Sequence, residues 1–174
     1  MRQPDKAVVH VATHFDSRPG VAANSHLLLG DGSQMSLAEI EAMPRLFSGV
    51  DLLTLSACST AFTGGAEDGR EVDSFGTIAQ RLGARGVVAS LWSVNDEATA
   101  RLMETMYRIR QSHPELGKSE ALREAQERMA SGVLKPSAGG VEDRGVRALG
   151  GKSLASGWTH PYYWAPFILI GNWK

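Results

Sequence analysis

The 174-residue chain has the composition of a soluble globular domain, with 43% hydrophobic and 21% charged residues. Its formal net charge is −1, and it shows no basic stripe of the kind that marks nucleic-acid binders. No apolar run approaches the ~20 residues of a membrane span, and no signal peptide precedes the first apolar run. We therefore expect a cytoplasmic protein that binds neither nucleic acid nor membranes.

Four short apolar runs predict strands that are buried on both faces. These runs are residues 7–13, 50–57, 86–92 and 164–170. A further short strand is predicted at residues 26–29, closed by a turn at residues 30–32. Pro166 lacks an N–H donor, so it should lie near the start of the last strand or at a sheet edge.

Helix signals fill the intervals between these runs. Residues 36–39 form a capping box, in which Ser36 and Glu39 each satisfy a backbone N–H of the other. Three later segments carry apolar residues at helical spacing: Phe75, Ile78, Ala79 and Leu82; Leu102, Met103, Met106 and Ile109; Ala121, Leu122, Ala125 and Met129. Strands that alternate with helices predict an α/β layered fold, with a mainly parallel sheet and helices on both faces.

Residues 131–157 carry seven glycines and no sustained period. We expect this stretch to be a mobile loop within one domain spanning residues 1–174. Residues 150–153 resemble the end of a phosphate-binding loop, but Val146 stands where that motif requires glycine. The sequence therefore predicts no nucleotide site, and we expect no cofactor.

Cys58 is the single cysteine, so it is either a structural thiol or a reactive one. It directly follows the second apolar run, and His14 directly follows the first. Ligands of parallel sheets bind beyond the carboxyl ends of the strands, and neighbouring strands lie ~4.8 Å apart. The two side chains should therefore face one crevice, where a thiol beside an imidazole is the minimum apparatus for acyl transfer.

The segment that follows Cys58, residues 59–65, consists mostly of residues with small side chains and contains two glycines. A substrate can approach such a backbone closely, and backbone N–H groups at a strand-to-loop turn can form an oxyanion hole. These features favour a reactive thiol over a structural one.

Four segments of the chain form a more specific pattern. They read VHVATH at 9–14, LTLSACST at 53–60, VASLWSVND at 88–96 and HPYYWAPF at 160–167. In this order they resemble successive signatures of CHAT domains. CHAT domains are caspase-like cysteine peptidases that are related to separase and often fused to tetratricopeptide repeats. The resemblance, over about residues 8–171, implies a caspase-like fold and a catalytic dyad of His14 and Cys58 that needs no metal. It also implies that the backbone N–H groups of Cys58 and Phe15 bind the oxyanion.

The sequence departs from this family pattern in two ways. Phe15 stands where glycine commonly follows the catalytic histidine, and phenylalanine is disfavoured at positive φ. We also expect the first strands of such a domain to be absent, so that the chain is a subdomain of a longer protein or is completed by another chain. An exposed sheet edge beside the His14 strand would then allow a homodimer. Both departures favour an alternative function, a catalytically incompetent interaction module.

Three further residues are candidates for substrate binding. Asp73 could bind a basic substrate side chain, although a solvated acid at a helix N-terminus is the simpler interpretation. Trp92 could line the groove or cover the core. Asp96 could contact substrate or act as a helix N-cap. The resemblance implies a peptide or protein substrate and a regulatory domain such as tetratricopeptide repeats, fused or as a partner.

Two other histidines lie near this predicted edge. His10 precedes His14 by four residues within a predicted strand, and no cysteine or third ligand clusters nearby. We therefore interpret it as supporting the core or the site rather than binding a metal. His26 precedes a short predicted strand and could reach the crevice.

Overall fold

The computed structural model describes residues 7–16, 25–56, 70–92, 94–137 and 157–174. Cys58, the segment 59–65 and residues 138–156 of the predicted loop lie outside the described residues. The described chain divides into two compact units. The first comprises the described parts of Met1–Ser93 together with Phe167–Trp173, and the second comprises those of Val94–Pro166 together with Lys174.

The elements are numbered in chain order. The strands are β1 (Ala7–Val11), β2 (Phe15–Asp16), β3 (His26–Leu28), β4 (Gln34–Ser36), β5 (Val50–Leu55), β6 (Gly86–Ser90) and β7 (Phe167–Gly171). The helices are α1 (Leu37–Glu41), α2 (Arg70–Arg81), α3 (Asp96–Ser112) and α4 (Lys118–Ala130). Two single-turn 3-10 helices span Gly157–Thr159 and Pro161–Tyr163.

A four-stranded sheet in the order β1-β5-β6-β7 forms the centre of the first unit. β1, β5 and β6 run parallel, whereas β7 is antiparallel to β6. The sequence prediction of a mainly parallel sheet in an α/β fold is confirmed, and the arrangement is consistent with a caspase-like layered fold. Pro166 directly precedes β7, where its missing N–H removes no hydrogen bond from the ladder.

The core of the first unit lies along β5 and β6, whose residues are buried throughout. α2 packs against β6 and β7. Its predicted apolar positions Phe75, Ile78 and Ala79, with Leu82 just after the helix, are all buried. The helical spacing therefore identified the correct face of α2.

β1 differs from its sequence prediction. A strand buried on both faces was expected, but Ala7, Val8 and His10 are exposed. Among the described residues β1 pairs with β5 alone and ends the sheet order. The apolar run therefore identifies a strand correctly but not its position at an edge, because burial depends on strands distant in sequence.

The connection from β1 to β5 contains an antiparallel sheet of β2, β3 and β4, followed by the short helix α1. The predicted capping box is present at the start of α1. The Ser36 hydroxyl accepts a bond from the Glu39 N–H at 3.1 Å, and the Glu39 carboxylate accepts one from the Ser36 N–H at 2.8 Å. The predicted short strand is confirmed as β3.

In the second unit α3 packs against α4. The predicted apolar residues of both helices are buried, and α3 ends before Pro114. None of the helices in the described ranges is both long and apolar enough to cross a membrane.

Candidate active site

The carboxyl ends of β1 and β5 lie side by side at one edge of the parallel sheet. Val11 is the register partner of Leu55, and the Ser56 N–H donates to the Val11 carbonyl at 3.1 Å. His14 follows Val11 by three residues, and Cys58 follows Leu55 by three residues. Both predicted catalytic residues therefore follow one paired position by the same number of residues.

Two hydrogen bonds to Leu28 hold the backbone that carries His14. The Leu28 N–H donates to the His14 carbonyl at 2.9 Å. The Thr13 hydroxyl donates to the Leu28 carbonyl. The N–H and the carbonyl of Leu28 in β3 therefore both form hydrogen bonds with the segment Thr13–His14. His14 itself is exposed, so its imidazole is open to solvent.

Phe15 is a core residue. It is 6% exposed, and its ring stacks on that of Phe75 with centroids 5.8 Å apart. Among the described non-glycine residues Arg45 alone has a positive φ, so Phe15 adopts ordinary backbone geometry. The expected conflict between phenylalanine and a left-handed backbone is therefore absent.

The register of β2 and β3 fixes the direction of the Phe15 N–H. Along β2, the Phe15–Leu27 pair lies between two other positions. The residue before Phe15, His14, accepts a bond from the Leu28 N–H, and the residue after it, Asp16, pairs with His26. Hydrogen-bonded and non-hydrogen-bonded pairs alternate along an antiparallel ladder. Phe15 therefore occupies a non-hydrogen-bonded position, and its N–H points away from β3. Phenylalanine here is compatible with an oxyanion donor.

A hydrogen bond between side chains joins β1 to the residue after β5. The His10 Nε2 lies 2.8 Å from the Ser56 Oγ, two residues before Cys58. Although the residue as a whole is exposed, partial burial of its ring lowers the pKa of His10. The expectation that His10 supports the site is consistent with this contact. Sequence analysis missed Ser56, which lies within the apolar run 50–57 and gave no separate signal; the structure ends β5 at Leu55.

A comparison with known protein families matches the CHAT domain to residues 1–172. The chain belongs to the CHAT domain family. This family is caspase-like and related to peptidases, in agreement with the resemblance of the four motifs. No curated protein matches the chain.

Trp92 lies in the first unit of this CHAT domain, two residues after β6. It is half-buried, and its carbonyl accepts a bond from the Ser90 hydroxyl at 2.6 Å. Since β6 runs parallel to β5, its carboxyl end lies at the same end of the sheet as those of β1 and β5. Trp92 follows the carboxyl end of β6, as His14 follows that of β1. His26 is half-buried in β3, opposite Asp16.

The two acidic candidates have different positions in the CHAT domain. Asp73 lies in α2, with its side chain outside the described part of the chain. Asp96 is exposed and is the first residue of α3 in the second unit. The prediction that Asp96 caps this helix is wrong. Asn95 is the N-cap, and its side-chain oxygen accepts from the Ala98 N–H at 3.0 Å.

Among the described residues, no group of three or more histidines, cysteines or carboxylates forms a metal-binding cluster.

Proposed function

We propose that this CHAT domain is a cysteine endopeptidase of the caspase and separase type, with Cys58 as nucleophile and His14 as acid–base partner. The observation that carries the proposal is the Val11–Leu55 register, with His14 and Cys58 each three residues beyond it. Because the carboxyl ends of adjacent parallel strands lie side by side, residues at equal offsets from a paired position can reach one crevice, which supports a dyad.

The proposed reaction has two stages. His14 takes the thiol proton, and the Cys58 sulfur bonds to the scissile carbonyl carbon. The carbonyl oxygen becomes an oxyanion, bound by the backbone N–H groups of Cys58 and Phe15. The C–N bond then breaks as the His14 imidazolium protonates the leaving amine. Water, deprotonated by His14, cleaves the thioester, which releases the acid and restores the thiol.

Two features of the described residues support these roles. His14 is exposed, so its imidazole is accessible to a substrate, and the hydrogen bond from Leu28 restrains the backbone from which the imidazole extends. The Phe15 N–H points away from the β2–β3 ladder. An oxyanion donor of this kind contributes roughly 2.7–4 kcal/mol to transition-state stabilisation.

The substrate is proposed to be a peptide or protein. Trp92 would line the groove beside the dyad, and Asp73 would contact substrate side chains. Control by a regulatory domain such as tetratricopeptide repeats, fused or as a partner, is part of this proposal. The edge of β1, which pairs only with β5 in the described sheet, would allow a homodimer.

The test uses the single cysteine as its reporter. The full-length protein is treated with a peptidyl acyloxymethyl ketone library, and covalent labelling is followed by intact mass. We expect labelling to be lost in Cys58→Ala and reduced at least about 100-fold in His14→Ala, as for removal of a general base. His113→Ala, which removes an exposed imidazole at the end of α3, is the matched control.

The interaction module predicts a different result. A chain that only binds partners would show no labelling under any activating condition, or equal labelling in wild type and His14→Ala. Either result would reject the peptidase. Hydrolysis of a fluorogenic peptide that survives in Cys58→Ala would reject the dyad as assigned.

A further inference from the structure

The His10–Ser56 contact is a side-chain hydrogen bond between β1 and the residue that follows β5, on the two stretches that lead to the proposed dyad. We propose that this bond positions Cys58 against His14, so that His10 and Ser56 are positioning residues for the reaction. The inference rests on the proposed function, because it assigns a role within the same site. Neither residue is proposed to touch substrate.

Ser56 is held on β1 at two points. Its N–H donates to the Val11 carbonyl at 3.1 Å, and its hydroxyl lies 2.8 Å from the His10 Nε2. The β1–β5 ladder ends at the Val11–Leu55 pair, so Ser56 is the first residue beyond it. The side-chain bond therefore adds a second connection to β1 at the first residue past the Val11–Leu55 pair.

The short distance along the chain makes this anchor effective. Cys58 is two residues beyond Ser56, and two residues span at most ~7 Å of extended chain. His10 lies four residues before His14, which Leu28 holds at its backbone carbonyl. One hydrogen bond thus restrains the chain that leads to the nucleophile relative to the strand that leads to the base. A displacement of ~1 Å between reacting groups can cost ~100-fold in rate.

The protonation state of His10 argues for positioning rather than charge stabilisation. Desolvation lowers the pKa of His10, so the ring is mainly neutral near neutral pH. A neutral imidazole has one donor and one acceptor nitrogen, and a hydroxyl can pair with either. A neutral ring contributes no positive charge to a thiolate, which leaves orientation as its effect.

The test measures the rate constant for covalent labelling of Cys58 by a peptidyl acyloxymethyl ketone in the full-length protein. We expect Ser56→Ala and His10→Leu each to lower it about 10-fold, within the range for a misplaced reacting group. His10→Gln keeps a nitrogen donor and should restore most of the rate. The double variant should be no slower than the slower single variant, because both changes remove one bond. Ser33→Ala, which removes an exposed turn hydroxyl, is the matched control and should match wild type.

Adding Ser56→Ala to His14→Ala separates an effect on positioning from an effect on fold stability. In His14→Ala there is no base to align, so adding Ser56→Ala should not lower the residual rate further. If Ser56→Ala lowers the labelling rate constant equally in the wild-type and His14→Ala proteins, the inference is overturned. It is also overturned if Ser56→Ala labels at the wild-type rate while His14→Ala labels more slowly. In the latter case the proposed function stands. If His14→Ala itself labels at the wild-type rate, the proposed function fails.

Discussion

Phe15 stacks on Phe75, with ring centroids 5.8 Å apart and ring planes inclined by 28°. The contact attaches β2 to α2 within the core of the first unit. It also explains how a residue directly after the proposed catalytic histidine can be phenylalanine: the side chain packs inward while the backbone N–H remains directed away from β3.

Phe15→Ala should therefore lower the free energy of unfolding by ~3–5 kcal/mol, the range for truncation of a buried phenylalanine. Urea unfolding at neutral pH measures this change. Phe15→Leu retains most of the volume and should cost much less. A double-mutant cycle with Phe75→Leu should give a coupling energy of ~0.5–1.5 kcal/mol. Additive effects would show that the two rings do not interact.

Phe15→Leu also tests the backbone donor separately from the side chain. It keeps the N–H, so Cys58 labelling should stay within a few-fold of wild type. A loss as large as that of His14→Ala would contradict a role limited to the backbone.

Local features of the sequence predicted local structure well. The capping box at Ser36, the buried stripe of α2 and the short strand β3 depend on residues within a few positions of one another. The apolar pattern of β1 did not predict its exposure, which was expected only from the missing first strands of the family pattern. The antiparallel direction of β7 was not predicted. Both features depend on which distant strands pair. The same limit applies to the site. Strand ends and motifs indicated His14 and Cys58, whereas the His10–Ser56 bond depends on the register between β1 and β5.

The Thr13 hydroxyl is expected to matter for catalysis through the position of His14. Thr13→Val removes its bond to the Leu28 carbonyl while keeping the side-chain volume. We expect a loss of ~0.5–1.5 kcal/mol in the free energy of unfolding and a lower kcat for peptide hydrolysis with KM little changed. Thr13→Ser keeps the hydroxyl and is the control. Equal kcat values for valine and serine variants would exclude a positioning role for this hydroxyl.

The start of α3 distinguishes two neighbouring polar residues. Asn95 is the N-cap, whereas Asp96 is the first helical residue. Asn95→Ala should lower the free energy of unfolding by ~0.5–2 kcal/mol, because the Ala98 N–H loses its acceptor. Asp96→Ala removes only a favourable charge near the helix N-terminus and should cost less, ~0.3–1 kcal/mol. Thermal unfolding of the two variants side by side measures the difference. A larger loss for Asp96→Ala would contradict the observed cap.

The pH dependence of stability should report the burial of the His10 ring. Its folded-state pKa is lowered by desolvation from 6.5, so below about pH 6.5 the unfolded chain binds more protons at this residue than the folded chain does. The free energy of unfolding should therefore fall as the pH decreases from 6.5 towards the lowered folded value.

Urea unfolding of wild type and His10→Gln between about pH 7.5 and 5.0 measures this contribution. The carboxylates Glu39, Glu97 and Glu115 have pKa values lowered from 4.5 by hydrogen bonds, so their contributions are lost only at more acidic pH. Within the chosen range, wild type should lose more stability than His10→Gln, which has no titrating group at position 10. Parallel stability curves would show that protonation of His10 is equally favourable in the folded and unfolded states, contrary to its partial burial against Ser56.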